Sequence, residues 1–322
     1  MKILVKGVGV GGLTVAYELL SHGLDVTVAC PEGLAGSASW CAGGMLAPYC
    51  EGEHAPKIFE KLGLYGIQWW NNVLPEDVVR HGTLVLAPRR AHFELDRFAA
   101  RTKGHSMLSA DEIATLEPDL AGRFQRGLFF ISEAHFDPRQ ALERLMIRLK
   151  QGGVSFIVST EQEVLYDFVI DATGSSRLPL DRNLRGVRGE MLLIRTKDVH
   201  LSRPVRLLHP RIPLYVVPRK ENIFMIGATM IESHNNRLMS VRSMMEFLNA
   251  AYALHPAFSE AEIIETGVGI RPAYANNFPR IERKQKFFFV NGFYRHGYLL
   301  APEMARRIAH LVLHAESENE EL

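Results

Sequence analysis

Ile3-Leu4-Val5-Lys6-Gly7-Val8-Gly9-Val10-Gly11-Gly12 opens the chain with a short apolar run that breaks into glycines. Gly7, Gly9 and Gly12 fit the spacing GxGxxG. In such a turn the first glycine permits the tight reversal and the second lets backbone approach a pyrophosphate. The third lets helix and strand pack closely. The flanks agree. Ile3 to Val5 reads as a strand, and Leu13, Ala16, Tyr17 and Leu20 recur on one helical face. Gly23 closes that helix, and Val26-Thr27-Val28 reads as a second strand. This is a βαβ unit whose helix start offers N–H groups and a dipole to an anion. It predicts a dinucleotide-binding fold with Gly7, Gly9, Gly11 and Gly12 at the cofactor. The acid that bonds the ribose hydroxyls normally ends the second strand, about 20 residues on. Cys30 stands there, with Glu32 two residues further. Either Glu32 takes the role or the ribose is held otherwise. Lys6 is also unusual at the end of a buried parallel strand.

The bulk composition narrows the class. The chain has 322 residues, 47% of them hydrophobic, enough for two interlocked domains. Its 37 Lys and Arg against 36 Asp and Glu leave a net charge of +1. A balanced surface has no general attraction for nucleic acid or an anionic membrane. The three cysteines, Cys30, Cys41 and Cys50, have no metal-ligand spacing, so no metal site is expected. A reducing compartment suits them. No signal peptide and no membrane-spanning run is read, which points to the cytoplasm.

Working outward, Ala35 to Pro48 is too rich in small residues for an ordinary core element. Ile58 to Val73 reads as an amphipathic helix, and Gly82 to Ala87 as a strand. Ser109 with Glu112 forms a capping-box pattern before a short helix. Asp137-Pro138 opens a helix running to Gln151. Val154 to Val158, Glu163 to Leu165 and Phe168 to Asp171 are expected strands. From Met191 to Ile231 strands dominate, a helix follows from Ser240 to Leu254, and strands return at Glu262 to Ile270 and Phe287 to Asn291. A last helix runs from about Tyr298 to His314.

Three further stretches carry a resemblance. Ser37-Ala38-Ser39-Trp40-Cys41-Ala42-Gly43-Gly44-Met45-Leu46-Ala47-Pro48 resembles the loop lying along the flavin in D-amino-acid-oxidase-like flavoproteins. Val169-Ile170-Asp171-Ala172-Thr173-Gly174 resembles that family's second strand and turn. Phe293-Tyr294-Arg295-His296-Gly297-Tyr298-Leu299-Leu300-Ala301-Pro302 resembles the C-terminal turn and helix of the glycine oxidases of thiamine biosynthesis. Gly269-Ile270-Arg271-Pro272 and Gly227-Ala228-Thr229-Met230 point to the same branch. The likeness runs from Gly7 to Ala309.

The resemblance implies an α/β fold: a Rossmann-like FAD-binding domain with an inserted antiparallel β-rich substrate domain. The expected boundaries are 1–78, 127–187 and 266–322 for FAD, and 79–126 and 188–265 for substrate. It implies FAD contacts at Ser39, Ala42, Gly44, Met45, Leu46, Ala172, Thr173, Gly174, His296, Gly297, Tyr298 and Leu299. Val164 is the expected adenine neighbour. Arg271 would grip a substrate carboxylate and Tyr215 would bond it. Met230 would limit side-chain size, and Arg295 would sit by the flavin edge. The start of the last helix would face the flavin where negative charge grows on reduction.

The implied reaction moves a hydride from glycine, or a similar small amino acid, to FAD. Oxygen and water complete it, giving glyoxylate, ammonia and hydrogen peroxide, in service of the thiazole moiety of thiamine. Self-association into a homo-oligomer goes with the family. A D-amino-acid dehydrogenase, a sarcosine-oxidase-like enzyme and a fold that has lost its cofactor stay open as alternatives. The glycine turn carries a first prediction: Gly9→Val blocks FAD uptake by steric exclusion. The check is flavin absorbance of the purified variant in excess FAD, where full flavination would refute the phosphate-turn assignment.

Overall fold

The computed structural model describes residues 1–31, 33–56, 58–158, 163–208 and 214–315. The amino-terminal unit forms as its sequence dictates. Strand β1 (Lys2–Lys6) leads through the glycine turn into helix α1 (Val10–Ser21) and strand β2 (Asp25–Ala29), which pairs parallel to β1. Gly7 has φ +107°, a backbone state that disfavours a side chain. A Cβ on Gly12 would collide with the Gly7 carbonyl, so the third glycine serves the close packing expected of it. Lys6 is explained by a partner distant in sequence: its Nζ donates to Glu163 Oε1 at 2.7 Å.

β1 sits centrally in a six-stranded sheet of order β16-β17-β9-β1-β2-β8. The others are β8 (Ser155–Ile157), β9 (Phe168–Asp171), β16 (Arg280–Lys284) and β17 (Phe287–Asn291). All neighbours run parallel except the β16–β17 pair. Ile3, Leu4 and Val5 are all fully buried, as expected of a parallel strand covered on both faces. Helices α1, α2 (Ile58–Val73), α5 (Pro138–Gln151) and α7 (Gly297–Leu313) pack into its main core. Asp137 caps α5 through Oδ1, which accepts from the Arg139 amide at 2.9 Å.

A larger, nine-stranded sheet has the order β14-β10-β13-β12-β11-β4-β6-β5, with β15 also on β10. Its strands are β4 (Thr83–Leu86), β5 (Ser106–Ser109), β6 (Arg126–Phe130), β10 (Arg185–Arg195) and β11 (Val205–Leu207). With them run β12 (Leu214–Pro218), β13 (Ile223–Gly227), β14 (Ile231–Glu232) and β15 (Glu262–Ala273). Its pairs are antiparallel except β11 with β4. Helices α3 (His92–Arg101), α4 (Ala110–Leu116) and α6 (Val241–Leu254) pack beside it. Ser109 and Glu112 close the expected capping box on α4. A two-stranded piece, β3 (Met45–Leu46) with β7 (Ala134–His135), completes the fold.

Two expectations need correction. Glu163–Leu165 is a 3-10 turn, held where Lys286 Nζ donates to the Glu163 carbonyl at 3.0 Å. The boundaries at 187/188 and 265/266 fall inside β10 and β15, and β6 belongs to the larger sheet. The two strands pair with each other along almost their whole length, across a register shift at Leu193–Ile194, and so run past the points where sequence character changes. Pro302 lies more than a turn into α7.

That proline has a consequence. It carries no N–H for the Tyr298 carbonyl four residues back. Trp70 Nε1, reaching from α2, donates to that carbonyl at 2.7 Å. Trp70 is fully buried. We expect Trp70→Phe to leave the carbonyl unpaired and to cost about 2 kcal/mol or more. Adding Pro302→Ala, which restores an N–H, should recover part of the loss; thermal unfolding of the two variants is the check.

Candidate active site

The glycine turn, the β9 turn and the start of α7 meet around a cleft of about 330 Å³. Each wall has a local cause. Ser39 Oγ accepts from the Val10 amide at 3.0 Å and ties the small-residue loop to the first turn of α1. Asp171 Oδ1 accepts from the Thr173 amide at 3.1 Å, and Arg177 pairs with Asp171 at 2.9 Å, which fixes the Ala172–Gly174 turn. His296 is the residue before the first turn of α7, and Gly297 and Tyr298 follow it to the wall.

The cleft gathers Gly7, Gly9, Gly11, Cys30, Ser39, Ala42, Ala172, Thr173, Gly174, Gly297 and Tyr298, all expected from sequence. A Cβ on Gly9 would stand 3.2 Å from Ser39 Oγ and crowd the cleft, so that glycine keeps a cradle open. Gly12 sits behind the turn rather than at the wall. Some expected residues are not there. Leu46 is fully buried in the core, paired with Ala134, and lines neither the cleft nor the chamber beside it, because strand alternation turns it away from Met45. Val164 is 86% exposed on its 3-10 turn and is not brought to the cleft. Glu32 lies outside the described residues.

A second chamber adjoins the first, sharing Cys41, Ala42, Arg271, Arg295 and Tyr298 with it. Gly44, Met45, Tyr215, Met230, His296 and Leu299 line it, and so does Glu51. Arg271 is held by β15 and reaches over β10 at Gly189, where a Cβ would collide with its guanidinium. Its Nη1 donates to the Thr229 carbonyl at 2.9 Å. No acid pairs with it among the described residues. Burial, then the nearby Arg295, push its ionisation down to about 10, so it stays charged at neutral pH.

Glu51, Arg206 and Gly189 escaped the sequence reading. Glu51 carries the charge that organises the chamber. Tyr215 donates to it, and Arg295 pairs with it at 2.5 Å while bonding the Tyr215 hydroxyl. Burial pushes the Glu51 carboxyl up, but Arg295 and then Arg206 outweigh it and hold it down at about 2. Arg206, inside an otherwise apolar strand, donates to the Cys50 carbonyl at 2.7 Å. A charge within Val205-Arg206-Leu207 was a readable signal for a buried partner. Burial pushes His296 down to about 3, so it is neutral, and its Nδ1 has no hydrogen-bond partner among the described residues. Burial likewise raises the Tyr215 hydroxyl. The chamber thus offers one charged fork, Arg271, to a carboxylate, whereas the Tyr215 hydroxyl, expected to bond a substrate, donates to Glu51.

Fold and cleft together define a dinucleotide-binding oxidoreductase. The sequence pattern of the FAD dependent oxidoreductase family matches residues 2–311, and the chain belongs to that family. A Rhizobium etli protein named as a thiamine biosynthesis oxidoreductase, ThiO, is 52% identical over 99% of each chain. The glycine oxidase of Bacillus licheniformis is 25% identical over 96% of this chain and 92% of its own. The crystal structure of glycine oxidase from Geobacillus kaustophilus superposes with a TM-score of 0.82 over 96% of this chain and 94% of that one, at 22% identity. The open glycine cradle and the small-residue walls fit FAD. Among the described residues there is no group of three or more metal-ligating side chains, and no helix is long and apolar enough to cross a membrane.

Gly189→Ala should displace the Arg271 guanidinium without disturbing the glycine cradle. We expect normal FAD uptake and acetate binding weakened by about tenfold or more. Flavin content and calorimetric titration with acetate test the two halves separately.

Proposed function

We propose that this FAD-dependent oxidoreductase oxidises glycine, and that the product serves formation of the thiazole moiety of thiamine. The balanced reaction takes glycine, oxygen and water to glyoxylate, ammonia and hydrogen peroxide. One observation carries the reading: Arg271 is a partly buried guanidinium with no acid partner among the described residues, placed where the first cleft opens into a second chamber. A buried cation without an anion is costly, and a substrate carboxylate supplies the anion. The names of the ThiO and glycine oxidase relatives support the substrate and the pathway.

FAD, when bound, supplies the acceptor for the hydride that leaves the substrate α-carbon. The chain does the rest by placement. Arg271 fixes the carboxylate, which leaves the amine and one C–H bond to be turned toward the cleft, while the Tyr215 hydroxyl stays bonded to Glu51. Met230, whose Sδ accepts from Arg295 Nη1 at 3.3 Å, crowds the side a larger substituent would need. Among the described residues no chamber group has the proton affinity of a general base at neutral pH, since Glu51 and His296 lie far below it and Tyr215 above its ordinary value. The ammonium proton therefore leaves to water.

The same reading assigns FAD binding to the six-stranded sheet with its helices, and substrate binding to the nine-stranded sheet inserted into it. It includes a cytoplasmic location, which three free cysteines support, and self-association. The test is peroxide release from FAD-supplied protein over a panel of glycine, sarcosine and short D-amino acids. Glycine should lead without any added electron acceptor, and silence toward the whole panel would overturn the proposal. Arg271→Ala should lose substrate binding by about 3 kcal/mol or more, read as kcat/KM for glycine.

A further inference from the structure

Two guanidinium groups line the second chamber, yet only one is open. Arg271 donates to the Thr229 carbonyl and meets no acid among the described residues. Arg295 is satisfied within the protein: it pairs with Glu51 at 2.5 Å, bonds the Tyr215 hydroxyl and touches Met230 Sδ at 3.3 Å. Tyr215 in turn donates to the other oxygen of the same carboxylate. Arg206 approaches Glu51 from behind, at 3.8 Å, and donates to the Cys50 carbonyl. Two cations and one acid thus face the chamber, with His296 neutral beside them.

Glu51 is built into its place. Its own amide donates to the Ala47 carbonyl at 2.9 Å. The buried Glu133 accepts from the amides of Tyr49 at 3.0 Å and Cys50 at 2.7 Å, fastening the loop just before it. The Glu51 side chain is 9% exposed. A guanidinium fork accommodates one carboxylate at full strength. At Arg295 that position is filled by the protein itself.

We propose that Glu51 is a specificity-determining residue: by occupying Arg295 it leaves Arg271 as the single open fork, so the chamber takes ligands with one carboxylate and refuses those with two. The inference rests on the reading of this chamber as the place of an amino acid. Glu51→Gln keeps the size of the side chain and removes its charge. Arg295 then becomes available to a second carboxylate.

The test uses the full chain loaded with FAD and two unreactive probes, acetate and malonate, titrated calorimetrically. The native protein should favour acetate. Glu51→Gln should move the ratio of dissociation constants toward malonate by about tenfold or more, a purely structural role weakening both acids alike. Adding Arg295→Met should cancel the gain. In parallel, peroxide from glycine and from aminomalonate is measured. If the native protein oxidises glycine but the acetate-to-malonate ratio stays fixed in Glu51→Gln, the specificity role falls and the functional reading stands. If the ratio turns while native protein leaves glycine untouched, the reading falls and the charge role stands. Should Glu51→Gln fail to fold, Glu51→Ala takes its place with the same expectation. Loss of folded, flavin-loaded protein in both variants overturns the proposal, because Glu51 would then be an anchor of the fold.

Discussion

Backbone touching backbone is the constraint on which this molecule rests. At the glycine turn a Cβ on Gly7 would strike the Ala172 carbonyl, and one on Gly12 would strike Gly7. Such approaches exist only where side chains are absent. They draw the end of β1, the start of α1 and the turn after β9 into one place, and the cleft is what remains between them. The α7 helix is brought to the same place by a different device. Its internal proline frees the Tyr298 carbonyl, and the indole of Trp70 takes it. Gly66 lets α2 come close enough for this, since a Cβ there would collide with the Leu299 carbonyl.

Charge inside the second chamber follows from that packing. Strands β10, β12 and β15 and the loop after β3 bring Tyr215, Arg271 and Glu51 together from remote parts of the sequence. Out of water, each charge demands a partner. Arg295 and Glu51 satisfy each other, and Arg206 finds the Cys50 carbonyl and further acids. Arg271 is the exception among the described residues, and an unmet demand of this kind is what a binding site is made of. Gly189 provides the room in which it persists.

The sequence-level reading succeeded where chemistry is local. Caps at Ser109 and Asp137 marked their helices because each side chain satisfies an amide two or three residues away. It failed where partners are distant. Glu163–Leu165 has the apolar content of a strand but turns in a 3-10 helix against Lys286. Leu46 and Met45 are neighbours in the chain, yet the strand sends one to the core and the other to the chamber. Glu51 follows a stretch of small residues and looks like an ordinary loop acid.

By itself the sequence determined the βαβ unit, the phosphate-type turn, the helices with clear caps and the glycines and small residues that meet at the cleft. These depend on spacings of a few residues, and a chain carries such spacings wherever it goes. Only the tertiary structure decided which acid meets which cation, where β10 and β15 run past the boundaries drawn for them, and that Arg295 is occupied while Arg271 is open. Those outcomes depend on pairings across well over a hundred residues, such as Glu51 with Tyr215. Burial strengthens them, because taking a charge out of water makes its nearest partner decisive.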